Sequence, residues 1–153
     1  VPTKPLTNAL DCAILLLLSV KGQNMEFVEK ECYRIAKKPV TFEQFFDFIE
    51  KTGRVTTILR RDIENMQSNA IVSIDDALAY CKWAGYVLPT SNEWKGARQE
   101  FDFTGNIAEW VDDLVFGQGY IVVDDNNFVY YDCYVPNHRI DYIGFRCVEL
   151  KGN

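Results

Sequence analysis

Three short signatures stand in fixed order in the second half of this 153-residue chain and restrict what it can fold into. They are Leu88-Pro89-Thr90 followed by Glu93-Trp94, Gly105-Asn106 followed by Glu109-Trp110, and the near-terminal Gly144-Phe145-Arg146-Cys147. Pro39-Val40-Thr41 and the stretch Asp76-Ala77-Leu78-Ala79-Tyr80-Cys81-Lys82-Trp83 precede them. Each signature is weak alone. Together they constrain the fold far more than the function, because one fold hosts many activities.

Local patterning supplies the elements between them. Glu26 to Ile35 alternates loosely ahead of Pro39, as a strand ending in a turn would. Thr41 with Gln44 makes a capping box. Phe42, Phe45, Phe46 and Ile49 follow at helical spacing, and Gly53 supplies the stop. Arg54 to Asn69 has poor periodicity and reads as a loop with a short strand. Ser73 with Asp76 forms a second capping box before apolar Ala77, Leu78, Cys81 and nearby Trp83, and Gly85 ends that helix. Thr90 with Glu93 opens a short helix carrying Trp94 and Ala97. A cap contributes about 1 kcal/mol, so these polar residues have a structural task first. Beyond Arg98 the pattern changes to short β-prone runs: Ile107 to Trp110, Tyr120 to Val123, Phe128 to Tyr131 and Tyr142 to Val148. Helices followed by a strand-rich, loop-rich half indicate an α+β domain.

In this order the five elements resemble the formylglycine-generating-enzyme branch of the C-type lectin fold, from about Tyr33 to Val148. The resemblance implies two helices packed on a small antiparallel sheet with long loops, in one domain covering 1–153. It also implies that Gly144-Phe145-Arg146 ends a strand that returns to the N-terminal part of the sheet, tying the two termini together, with Trp94 and Trp110 buried.

Composition narrows the partners. An apolar fraction of 48% excludes a disordered chain. The longest apolar run, Cys12 to Leu18 with Ser19 and Val20, is too short to span a bilayer and reads as a buried segment. No targeting signal is visible, and the start at Val1 suggests a fragment or a processed chain. Residues 1–100 carry 13 acidic and 13 basic side chains, whereas residues 101–153 carry 9 acidic and 3 basic, which accounts for the whole net charge of −6. An acidic C-terminal surface repels phosphate backbones, so nucleic acid is not an expected partner. The five cysteines (Cys12, Cys32, Cys81, Cys133, Cys147) show neither secreted-type spacing nor Cys-x-x-Cys. They read as buried free thiols, with one disulfide as the competing reading.

The resemblance invites a test for catalysis. Formylglycine-generating enzymes oxidise a substrate cysteine with a close pair of cysteines ahead of the Gly-Phe-Arg terminus. Here that region holds Cys133 alone, and Cys147 falls inside the signature, where the family usually has a packing residue. The related iron-dependent sulfoxide synthases use a histidine facial site, and His138 is the only histidine. No enzyme, no cofactor and no resident metal is therefore expected, an oxidoreductase acting on protein cysteine being the alternative. Related enzymes also bind calcium through loop oxygens, to which Asn106, Glu109, Asp112 and Asp113 would correspond. The simpler reading has Asn106 as a turn residue and the acids as solvated.

Residues 118–142 differ from the rest. They contain five of the eight tyrosines, with Asp124, Asp125, Asp132, Asp141, Asn126, Asn127, Asn137 and His138. Tyrosine supplies rigid amphipathic area and short polar side chains supply adaptable hydrogen bonds, the composition of a recognition surface. A tyrosine-rich β-core with polar turns is the competing reading, partly supported by the alternation of Ile121, Val123 and Val129. The stretch also resembles, in place and content, the diversified segment of the variable proteins of diversity-generating retroelements, which lies just upstream of the terminal Gly-Phe-Arg. Where those relatives often carry Gly-Gly-Ser-Trp, this chain has Gly117-Gln118-Gly119-Tyr120. The resemblance implies a non-enzymatic protein on a virion tail tip or a prokaryotic cell surface that recognises a macromolecule, a protein or a cell-surface receptor. The expected contact residues are Tyr120, Asp124, Asn126, Asn127, Tyr130, Asp132, Tyr134, Asn137, His138 and Tyr142, gathered on one exposed surface.

Overall fold

Among the described residues, short helices and short strands share two hydrophobic clusters. The computed structural model describes residues 25–100, 108–112, 121–123, 129–131 and 143–152. The order is β1 (Phe27–Glu29), β2 (Tyr33–Ala36), α1 (Phe42–Thr52), α2 (Arg60–Glu64), α3 (Ile74–Ala84), α4 (Ser91–Glu100), β3 (Ala108–Val111), β4 (Ile121–Val123), β5 (Val129–Tyr131), β6 (Ile143–Gly144) and β7 (Val148–Leu150). This is an α+β arrangement. The Cys12 to Leu18 run lies outside the described residues.

The caps act largely as the sequence predicts. The Thr41 hydroxyl accepts from the Gln44 amide while the Gln44 side chain accepts from the Thr41 amide, closing the box at the start of α1. Gly53 ends α1 at φ 68° and Gly85 ends α3 at φ 82°, left-handed values that favour glycine. Thr90 and Glu93 exchange the same reciprocal bonds at the start of α4. The second box is only half formed. Ser73 accepts from the Asp76 amide, but the Asp76 carboxylate turns to Arg54 Nε at 2.7 Å and to the Thr56 hydroxyl. A charged donor beside a nearly buried carboxylate outbids a neutral backbone amide.

Four expectations change. The strand expected over 26–35 is a hairpin, because the Lys30 amide donates to Tyr33 O and reverses the chain. The 54–69 segment holds helix α2 instead of a strand, with Asp62 reaching back to the Leu59 amide at 2.9 Å. On α1 the fourth buried position is Phe48, not Phe46. Residues 42, 45, 48 and 49 share the face turned to α3, and Phe46 sits at its rim. Four helices, not two, appear among the described residues.

Among the described residues the strands form two sheets, not one. The first is antiparallel in the order β1-β2-β7, and the second runs β5-β4-β3-β6. In the second sheet β3 and β6 are parallel, with Ala108 opposite Ile143 and Glu109 opposite Gly144. Its other pairs are antiparallel. Gly144-Phe145-Arg146-Cys147 is thus the crossover between the two sheets: the strand that it follows, β6, pairs with β3 and not with the N-terminal strands as expected, and it is β7, after the signature, that returns to them. Main-chain bonds stitch this crossover down: Val40 N donates to Phe145 O and Ala36 N to Cys147 O, each at 2.9 Å.

The larger cluster joins α1, α3, β3 and the crossover through Phe42, Phe45, Phe48, Tyr80, Trp110 and Phe145. Tyr80 meets Phe48 edge-on at 5.5 Å and Phe145 at 5.5 Å. A second cluster, Val28, Ile35, Ala97 and Val148, seats α4 on the first sheet. Trp94 and Trp110 are both buried, as the sequence predicts. The Trp110 indole N–H donates to Val72 O at 2.9 Å, so this ring is held by packing and by a hydrogen bond. Trp110→Ala is expected to lower the urea unfolding free energy by about 3–5 kcal/mol. A loss below about 1 kcal/mol would show that this ring is not core.

Candidate functional site

The second sheet positions the candidate recognition segment, and a buried ion pair positions the sheet. Glu109 points from β3 into the interior, 1% exposed, and Arg146 meets it at 0%. Arg146 Nε lies 2.6 Å from Glu109 Oε1 and Nη2 lies 2.8 Å from Oε2, a bidentate fork. Arg146 Nη1 donates to the carbonyls of Ala36 and Lys37 at 3.1 and 2.9 Å. One side chain therefore ties β3, the crossover and the end of β2 together. A buried charge pair is favourable only when its remaining hydrogen-bonding groups find partners, and the two carbonyls accept from the Arg146 nitrogen that Glu109 does not reach.

This pair overturns the solvated reading of Glu109 and removes it from the calcium set. Both of its oxygens are engaged by a guanidinium, which excludes a cation from the same place. Asp112 lies at the end of β3, where its amide donates to Pro89 O at 2.9 Å. Asn106 and Asp113 lie outside the described residues. Among the described residues no group of three His, Cys, Asp or Glu side chains could hold a metal ion.

Residues 118–142 are bracketed by β3 and β6, and β4 and β5 lie within them. The chain leaves β4 at Val123 and rejoins the sheet at Val129, opposite each other and beside Glu109, at the end where β3 begins. It leaves β5 at Tyr131, beside Ile121 and Val111, at the opposite end, and returns to Ile143 beside Ala108. The segment is thus anchored at both ends of the sheet. Of the ten expected contact residues, Tyr130 lies in β5 opposite Val122. Tyr120, Asp124, Asn126, Asn127, Asp132, Tyr134, Asn137, His138 and Tyr142 lie outside the described residues.

The thiols separate into two kinds. Cys32 is exposed, against the expectation of burial, because it sits in the turn between β1 and β2. Cys81 and Cys147 are buried, with their sulfurs 3.9 Å apart. Burial, and then the hydrogen bond shared with Cys81, push the Cys147 thiol well above its ordinary range. Both sulfurs lie in the packed interior, with no opening to a peptide substrate. Cys12 and Cys133 lie outside the described residues.

Residues 19–100, more than half of the chain, match the model of the sulfatase-modifying factor enzyme 1-like domain. The chain belongs to this family. Comparison with curated proteins finds no match. In the sulfatase-modifying factor family both enzymes and non-enzymatic members occur, so membership fixes the scaffold and leaves the chemistry to the residues. No helix among the described residues is long and apolar enough to cross a membrane.

Two features of this family member escape a reading by motif. The Glu109–Arg146 pair joins two signatures that look independent, although an acid and a base, each beside a large aromatic in an apolar strand context, are the available signal. The Arg54–Asp76–Thr56 contact has no signal in periodicity, because Arg54 comes from an irregular segment. Glu109→Gln or Arg146→Met alone is expected to cost about 3–5 kcal/mol in urea unfolding, since each leaves a buried charge unpaired. The double variant Glu109→Gln/Arg146→Met should cost less than the sum of the two. Additive losses would show that the pair does not act as a unit.

Proposed function

We propose that this sulfatase-modifying factor family member is a non-enzymatic ligand-binding protein. In this reading 1–153 is one C-type-lectin-type domain that displays a diversified surface, as variable proteins of diversity-generating retroelements do. Its variable segment is 118–142 and its ligand is a protein or a cell-surface receptor. It works without cofactor or resident metal, on a virion tail tip or a prokaryotic cell surface.

The observation that supports this reading is the bracketing of 118–142 by β3 and β6. Those strands are held by a buried charge pair whose groups are satisfied by each other and by main-chain carbonyls of 36 and 37. A scaffold built this way can keep its register while the bracketed residues change. A core position cannot vary in this manner, because a change of one methylene is felt there. The Tyr, Asn and Asp content of the segment supplies the contact chemistry. Tyr130, Tyr134 and Tyr142 are the anchors in this reading, since aromatic hot spots cost about 2 kcal/mol or more on truncation.

Sequencing the DNA around the gene tests the origin of the segment. A reverse-transcriptase gene and a near-copy of the coding sequence for residues 105–147, differing at adenines, are expected. A neighbourhood with neither contradicts the reading. The enzymatic alternative is tested by incubating the protein with a cysteine-containing sulfatase-type peptide, copper and oxygen. No formylglycine is expected, and product above a Cys133→Ser control would establish the oxidoreductase instead.

A further inference from the structure

Two dibasic pairs, Lys37-Lys38 and Arg60-Arg61, lie exposed in the described part of the chain, and their backbones are held very differently. The Lys37 amide donates to Glu26 O at 2.9 Å, and the Lys37 carbonyl accepts from the buried Arg146 Nη1, also at 2.9 Å. Pro39 follows Lys38 and stiffens the chain beyond it. The first pair is therefore pinned.

The second pair is not. Arg60 and Arg61 open α2, which has five residues. Residues 54–59 before it are neither helix nor strand, and Leu59 is extended at φ −99° and ψ 153°. The Arg60 side chain is 92% exposed, and its 3.0 Å pair with Glu64 is a surface pair of little worth. At the ends of α2, Asp62 N donates to Leu59 O at 3.0 Å, Asn65 N to Arg61 O at 3.2 Å, and Leu59 N to the Asp62 carboxylate at 2.9 Å. A helix this short is marginal on its own. A protease cleft takes a peptide as an added extended strand. The residues before the Arg60–Arg61 bond already have that form, and only one helical turn after it has to unwind.

The contacts around this segment do not depend on the bond. Before it, Arg54 Nε and the Thr56 hydroxyl hold the Asp76 carboxylate. After it, Met66 O and Ser68 O accept from the Glu43 and Phe42 amides at 2.8 Å each. Residues 1–60 and 61–153 are also joined by the β2–β7 pairing, by Arg146 on the carbonyls of Ala36 and Lys37, and by Phe45 and Phe48 against Tyr80. Glu109 and Arg146 stay on one piece with the whole second sheet. We propose that the Arg60–Arg61 bond is a processing site for an arginine-specific endoprotease, which converts the chain into two fragments held in the native fold. One water adds across the bond as it breaks, leaving a carboxylate on Arg60 and a free amine on Arg61.

The test treats the full folded chain with a trace of trypsin in native buffer and reads each new chain end by intact mass. Among the bonds of residues 25–100, the one after Arg60 should be cut first, at least about 100-fold faster than the one after Lys37, because only the former opens without disturbing the core. The fragment ending at Arg60 and the fragment beginning at Arg61 should elute together from a sizing column at the position of the intact chain, and part only in urea. The nicked protein should keep one cooperative melting transition, at a lower Tm than the intact chain, since its unfolded state is less constrained. No cut after Arg60, a first cut elsewhere in 25–100, equal rates at the two dibasic pairs, or fragments that part without denaturant would overturn the proposal.

Discussion

The Arg146 guanidinium is the point on which the described structure depends. Its fork onto Glu109 fixes β3, its third nitrogen fixes the end of β2, and its own backbone is the crossover between two sheets. Arginine suits this place because its planar donors match a carboxylate bidentately and still leave donors for carbonyls. Lysine would leave that geometry unfilled. Burial at 0% and 1% exposure makes the pair all-or-none: both partners present is stable, and one alone is a buried unpaired charge.

The clamp also organises its surroundings. With Arg146 held, Phe145 on one side reaches Tyr80 and Cys147 on the other reaches Cys81, so the crossover packs against α3 on both sides of the arginine. Val148 then bridges to Val87, linking the first sheet to the segment that begins Leu88-Pro89-Thr90. Trp110, next to Glu109, bonds to Val72 and closes the same core from β3. The described parts of the three signatures therefore belong to one contact network, and β4 and β5 pair in order beside β3.

Much of this was legible in the sequence because the signals are local. Thr41–Gln44 and Thr90–Glu93 are three-residue relationships, and Gly53 and Gly85 mark their helix ends by conformational necessity. The burial of Trp94 and Trp110 is what the family resemblance implies, whereas the strand that returns to the N-terminal sheet lies after Gly144-Phe145-Arg146 and not before it. The errors concern choices made by distant partners. Asp76 abandons its cap for Arg54, Glu109 is claimed by Arg146 across 37 residues, and the β3–β6 pairing is parallel because β6 returns after an excursion through β4 and β5. Short elements such as α2, with Asp62 as its anchor, leave no readable signal, because five residues carry too little periodicity. The candidate contact residues were read from composition, and of these only Tyr130 has a described place.

The central claim is that a fixed clamp carries a segment free to vary. A saturation substitution scan of the whole chain, scored for folding alone by protease resistance, tests it most directly. Substitutions at Glu109, Trp110, Phe145 and Arg146 should abolish resistance almost without exception. Substitutions at Tyr120, Asp124, Asn126, Asn127, Asp132, Tyr134, Asn137, His138 and Tyr142 should be accepted broadly, each within about 0.5 kcal/mol as for exposed positions. If those positions prove as intolerant as Trp110, the tyrosines are core, and the account of a variable surface on a clamped scaffold is contradicted.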